Sequence, residues 1–384
     1  MKRHHRIGLL LSTAGPYALL GRTMLNGALL AVEEVNAAAA GVALGPTIVD
    51  PEGEIAAYAA GAERLLRSGI RHVVGCYTSS SRKEIIPIFE KMDGLLWYPS
   101  HYEGFETSGN VVYTGASPNQ HILPLVKHLL AQGGRTAFCV GANYIWAWEN
   151  NRILREALAL AGGRVAAERY FAVGETEFDQ VIDAILEVRP DFVFNTLIGV
   201  SAYQFFRDFR RACLARGIDQ PKTMPVASCS LAEPELEAIG PEALDGHLSC
   251  SVYFSSVGGE RNQAFTAAYA ARFPDGPTPS ADTEASYIAV HLLARALARA
   301  GSEDVAAVRR AACEVSFAAP QGPVRLDETT LHACLTPRIG VSTAQARFAI
   351  VAQAAEPVAP DPYLVRSAPR VVPVDRRPAL RVVP

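Results

Sequence analysis

Apolar positions along this chain fall into two alternating rhythms. Short runs rich in β-branched and aromatic residues, too brief for helices, are separated by longer stretches in which apolar residues recur at helical spacing. Arg6 to Leu11, Thr47 to Asp50, His72 to Tyr77, Gly94 to Tyr98 and Asn110 to Gly115 read as strands. Between them, one helix carries Met24, Ala28, Leu29, Val32 and Val35 and stops at Gly41, and a second runs from Glu54 to Ser68 with Leu65 and Leu66 inward. A third follows Ser79 and buries Ile85, Ile86, Phe89 and Met92. In that third helix Ser81 and Glu84 predict a capping box. Pro87 removes an intrahelical hydrogen bond and predicts a kink or a late start. Strand, helix and strand of these lengths form right-handed βαβ units, so the strands run parallel and their C-terminal ends share one edge of the sheet.

The rhythm restarts after Ser117-Pro118-Asn119, which caps a helix through Leu123, Val126 and Leu130 to Gly133. Strands Thr136 to Gly141, Val165 to Phe171, Asp191 to Leu197 and Met224 to Ser228 then alternate with helices Glu149 to Leu160, Phe178 to Val188 and Ala202 to Arg216. In the last of these, Phe205, Phe206 and Phe209 form the buried stripe, and Arg207, Arg210, Arg211 and Arg216 the solvated face. HLSCSVYFSS is a further strand, followed by helices Gln263 to Phe273 and Thr283 to Gly301, and APQGPVRLDETT and PRIGVSTAQARFAIV read as terminal antiparallel strands. A chain of 384 residues exceeds one ordinary core. The expected architecture is α/β, with two doubly wound Rossmann-like lobes joined by three crossovers near Ala116, near Val252 and after Val324. Residues 1–117 plus 253–325 make the N-terminal lobe, 118–252 plus 326–360 the C-terminal lobe, and 361–384 a Pro-rich tail, extended or disordered.

Composition narrows the function. Formal net charge is -3 and no basic stripe is present, which argues against direct nucleic-acid binding. Seven cysteines, an odd number with no C-x-x-C pair, favour a reducing compartment. The opening MKRHHRIGLLLSTAG has a basic region, but its apolar run falls short of the ~7 to 15 residues of a secretory segment. A first strand ending in a Ser-Thr-Ala-Gly-Pro loop is the preferred reading. The expected location is therefore cytoplasmic, with a periplasmic protein as the alternative. No segment reaches ~18 uninterrupted apolar residues, so no membrane insertion is expected.

Catalytic and cofactor motifs are missing: no G-x-x-x-x-G-K-[ST], no G-x-G-x-x-G after the first strand, no H-E-x-x-H and no G-x-S-x-G. Ser79-Ser80-Ser81 with Lys83 superficially resembles a lysine-activated nucleophile, but helix capping explains the same residues. His101 and Glu103 alone do not make a metal site. No catalytic residue, metal or cofactor is expected. What remains is a pair of hydroxyl-rich turns, Tyr77-Thr78-Ser79 and Tyr98-Pro99-Ser100, placed together at the carboxyl ends of neighbouring parallel strands, where open sheets bind ligands. They suit a small neutral polar ligand.

The segments VVGCYTSSSRK, GLLWYPSHYEGFE, VVYTGASPNQ, PDFVFNTL, IGPEALDGH and APQGPVRLD, in this order, resemble the type I periplasmic-binding fold in its urea and short-chain-amide branch. That resemblance covers nearly the whole chain. It implies a non-catalytic protein binding a short aliphatic amide or urea in an interlobe cleft. Cytoplasmic members of the branch regulate amidase expression through an RNA-binding antiterminator; exported members are substrate-binding components of ABC transporters, and an amidohydrolase is a third reading. Oligomeric state stays open, a homo-oligomer included. The resemblance also implies ligand contacts at Tyr77, Ser79, Tyr98 and Ser100 from the first lobe and Tyr144, Trp146 and Ser230 from the second. Trp148, beyond the matched positions, is read as core packing.

Overall fold

The computed structural model describes residues 2–38 and 41–367. Its first sheet holds β1 (Arg3–Leu10), β2 (Val42–Val49), β3 (His72–Gly75), β4 (Leu95–Tyr98) and β5 (Val111–Tyr113) in the order β2-β1-β3-β4-β5, parallel throughout. Its second sheet contains β6 (Thr136–Ala142), β7 (Arg164–Phe171), β8 (Phe192–Thr196), β9 (Val226–Ser228) and β10 (Leu248–Ser251). A small antiparallel sheet comprises β11 (Ser316–Ala319), β12 (Gly322–Leu326) and β13 (Ala333–Cys334). The chain then returns to the second sheet with β14 (Arg338–Ser342) and β15 (Phe348–Gln353), giving the order β15-β14-β10-β9-β8-β6-β7. β14 is antiparallel to both β10 and β15, as expected for a strand pair joined by a short turn. The central strands of both sheets are continuous apolar runs because helices cover both faces.

Most differences from the sequence reading lie at element ends. Helix Ser79–Met92 starts two residues before Ser81, and its cap is Thr78, whose Oγ1 accepts the Ser81 N–H at 3.1 Å. The Ser81 hydroxyl instead donates to the Thr78 carbonyl, so the predicted Ser81 capping box does not form. Pro87 lies inside a continuous helix, so it does not delay the start. Helix Ile145–Leu160 begins a turn earlier than predicted, and helices Glu233–Ile239 and Val305–Glu314 had no prediction. On helix Val200–Ala215 the phenylalanine stripe is buried as expected, but Arg210 is not solvated: it is 8 % exposed and bound to Gln220 and Asp245.

Ala333 and Leu335 share a hydrophobic core with Val74, Trp97 and Val112 of the first sheet, and Thr336–Arg338 leads from there into β14 of the second. There Arg338 ties the connections together, donating to the carbonyls of Val252, Thr336 and Gln321. Gln321 in turn donates through its backbone and side chain, each at 2.7 Å, to the buried Glu284 carboxyl. Residues 361–367, expected in the tail, are partly packed: Asp361 and Leu364 are buried, and the Asp361 carboxylate accepts from the N–H groups of Val365, Arg366 and Ser367. Residues 368–384 lie outside the described residues.

Candidate functional site

The site forms where the carboxyl edges of the two large sheets face one another. After β3 the chain turns through Cys76 in the left-handed region, φ 64°, and enters helix Ser79–Met92. The backbone N–H groups of Ser79 and Ser80 belong to the unpaired first turn and have no acceptor among the described residues. The Ser79 hydroxyl is already committed to Glu103, whose other oxygen takes Arg82 Nη2 at 3.0 Å. Arg82 is fully buried, with its Nε on Glu106 at 2.7 Å and its guanidinium 4.7 and 4.8 Å from the ring centres of Tyr98 and Tyr102. Tyr98 is fully buried in this arrangement and donates its hydroxyl to the Tyr77 carbonyl at 2.8 Å. Ser100 donates to Asp282 at 3.1 Å, and His101 Nδ1 lies 3.4 Å from the same oxygen. Asp282 arrives from the first turn of helix Ala281–Ala300, far along the chain.

From the second sheet, Tyr144 is the residue before helix Ile145–Leu160 and Trp146 lies in its first turn. Their rings are nearly parallel at 6.4 Å, and Trp146 meets His101 edge-on at 5.4 Å, bridging the two sheets. Trp146 is 2 % exposed, and its indole Nε1 has no hydrogen-bond partner among the described residues. Ser230, half-buried after β9, bonds only to Ser228, through its N–H at 3.1 Å and its hydroxyl at 3.2 Å. Trp148, expected in the core, is 45 % exposed and donates to Asn143. The one-turn-earlier helix start carries it outward.

Tyr77 connects the halves. Burial pushes its hydroxyl pKa well up, and Asp282, Glu235, Tyr144 and Tyr203 add to the shift, so groups from both sheets surround it. Burial likewise pushes Tyr17, whose ring is 5.5 Å from that of Tyr77, to about 12. Burial raises Glu235 to about 8, against hydrogen bonds from the Ala232 N–H and Tyr203, so it is mainly protonated at neutral pH. Tyr17, Asp282, Glu235 and Tyr203 were not named from sequence. Tyr17 lies in the loop after β1 and was accessible to the strand-end argument; the others come from helices whose position only the tertiary fold defines.

The two sides already touch. Gly199, φ 58°, precedes helix Val200–Ala215, and a Cβ there would stand 2.7 Å from the Pro16 carbonyl oxygen. Only glycine permits this approach. A cavity of about 20 Å³ lies at the inner end of the cleft, bordered by His101, His121, Asp282, Cys229 and Cys250, enough for about one water molecule. Among the described residues no cluster of His, Cys, Asp and Glu could hold a metal ion, and no helix is long and apolar enough to cross a membrane.

Known proteins share this architecture. An ABC-transporter solute-binding protein of R. palustris, solved with benzoate, superposes with a TM-score of 0.82 at 21 % identity over 93 % of this chain and 98 % of that one. A leucine-binding protein of Thermotoga maritima gives 0.79 at 19 % identity over 91 % and 98 %. A Leu/Ile/Val-binding protein homologue of Brucella abortus is 22 % identical over 339 residues, 85 % of this chain and 84 % of that protein. The fold is that of type I periplasmic binding proteins, as the sequence resemblance implied. The periplasmic binding protein domain model matches residues 5–369, and the chain belongs to that family.

Proposed function

We propose that this protein is the solute-binding component of an ABC-type importer, and that its interlobe cleft takes a small neutral solute of the urea or short-amide class. Family membership and the likeness to transport receptors support the first part. The observation that carries the second is the buried Trp146 indole N–H, held without a partner between the two sheets. A ligand carbonyl would satisfy it, and the free N–H groups of Ser79 and Ser80 are further donors for the same kind of acceptor. Among the described residues no cation is left over in the cleft for an anionic ligand: Arg82 and Lys83 are neutralised by Glu103 and Glu106, and Glu235 is largely protonated. Aromatic rings of Tyr17, Tyr77 and Tyr144 wall the space. The two lobes are proposed to hinge about the connections clasped by Arg338, closing on solute. At a ceiling of about -1.5 kcal/mol per atom, a ligand of four heavy atoms gains at most about -6 kcal/mol, so its dissociation constant is tens of micromolar or weaker.

Calorimetric titration with urea, acetamide, leucine and benzoate tests the assignment. Saturable binding of urea or acetamide supports it; binding of leucine alone, or of benzoate in a manner lost on Trp146→Phe, replaces the ligand class while leaving the receptor reading intact. A second reading, a cytoplasmic amide sensor acting through a protein partner, is favoured by the seven cysteines, all unpaired and six of them buried. Cell fractionation separates the two, with recovery from the periplasm supporting the importer component.

A further inference from the structure

Lined by none of the cleft residues, a cavity of about 570 Å³ opens between helices Ala18–Ala37, Glu260–Arg272 and Ala281–Ala300 and strand β11. That volume is in the range of small-molecule sites. Its floor is aromatic: Phe265 and Tyr287 lie 4.8 Å apart, and His291 stacks on Phe317 at 4.4 Å with 20° between planes. Each of these four is less than one-tenth exposed. The acidic group at the rim, Glu34, is already occupied, accepting from Tyr287 at 2.5 Å and paired with His291 at 3.2 Å.

Two arginines at the same cavity are not so occupied. Arg295 lies with its guanidinium 4.7 Å above the Phe317 ring and uses Nε alone, on the Ser316 carbonyl at 3.1 Å. Neither of its Nη atoms has an acceptor among the described residues, and no carboxylate pairs with it. Arg261, exposed on the adjoining helix, has neither a hydrogen bond nor an ion pair among the described residues. Burial lowers the Arg295 pKa; Tyr287 opposes the shift and Arg261 adds to it, so the two cations sense one another. A planar fork fixed on an aromatic ring, with both outer nitrogens free and a second cation alongside, is suited to a carboxylate.

We propose that this cavity is a second ligand site, distinct from the interlobe cleft, for a small organic monocarboxylate with a flat apolar body: the carboxylate on Arg295 and Arg261, the body against Phe265 and Tyr287. The charge alone lacks the aromatic surface, and the apolar body alone leaves both arginines unpaired. The inference does not depend on what the cleft binds.

The test uses the full chain, with benzoate as probe, acetate as the charge without the body and benzyl alcohol as the body without the charge. Saturation-transfer NMR and calorimetry are expected to detect benzoate but neither fragment at the same concentration. Arg261→Gln, on an exposed side chain, is expected to weaken benzoate at least ~3-fold and Arg295→Gln at least ~10-fold. Trp146→Phe in the cleft should leave benzoate affinity unchanged, and the proposed cleft solute should not compete with it. Benzoate binding that survives both arginine substitutions, or that is lost on Trp146→Phe, would place the anion in the cleft and overturn the second site. So would equal response to benzyl alcohol and benzoate.

Discussion

The two halves of the cleft are built on opposite principles. On the first-sheet side the hydroxyl groups are spent internally: Ser79 on Glu103, Tyr98 on the Tyr77 carbonyl and Ser100 on Asp282. On the second-sheet side, among the described residues, Trp146 keeps a buried N–H with no partner and Ser230 has only Ser228. In the first half the hydroxyls hold the scaffold and backbone donors are left free, with Arg82 Nη1 and Trp97 Nε1 also buried without a partner among the described residues; in the second half Trp146 and Ser230 offer the side-chain donors proposed to meet a ligand. A buried polar group without a partner carries a desolvation penalty, so it is retained where something relieves it. Polar residues at strand ends can therefore look alike in sequence and differ in role.

That contrast predicts distinct consequences for substitutions in each half. Arg82→Met leaves the Glu103 and Glu106 carboxylates with only the partly exposed Lys83 and should destabilise the fold by about 3–5 kcal/mol in denaturant unfolding, since the buried cation between them is lost. A loss under about 1 kcal/mol would mean the network is not the scaffold described. Gly199→Ala places a side chain against the Pro16 carbonyl at a backbone angle only glycine adopts readily. It should weaken ligand binding by about 1–3 kcal/mol, and scattering should show a more open particle. Undiminished affinity would show that closure does not require the Pro16 contact.

The sharpest contrast pairs Trp146→Phe with Tyr98→Phe. Trp146→Phe should weaken the cleft solute by about 0.5–1.5 kcal/mol with little loss of stability, and Tyr98→Phe should lower stability by a similar amount with little loss of affinity. Reversed effects would exchange the roles of the two halves. A separate contrast is expected in pH dependence. Burial raises Glu233 to about 7, and Glu235 and Glu284 to about 8, all above the ordinary carboxylate value. The folded state therefore holds protons that the unfolded chain has released, so these groups make stability fall as pH rises from about 4.5 to 8. Glu235→Gln should flatten part of that slope; an unchanged slope would show that Glu235 is not held protonated.

Much of this was legible in the residues. The alternation of short apolar runs with helical periods located β1, β3, β4 and β5 to within about three residues, because covered parallel strands leave a continuous apolar trace, but caught only the end of the partly exposed edge strand β2. Tyr77 and Ser100 came together by the strand-end rule alone. What sequence could not show was which hydroxyls were free, because their partners come from distant segments: Asp282 lies 182 residues from Ser100. The Arg210 contact with Asp245 was hidden for the same reason, and a charged helix face looked solvated. Helix starts near Ser79 and Ile145 moved because capping is decided by local backbone geometry as well as residue type.

The central claim is that the free donors of the second half complete a site for a small neutral solute. Calorimetric titration of urea and acetamide into the wild-type protein and Trp146→Phe tests it most directly. The account predicts saturable binding of one or both, at tens of micromolar or weaker, in the wild type, weakened up to about 10-fold in the variant. Binding identical in the two proteins, or no binding of either solute to the wild type, would contradict it.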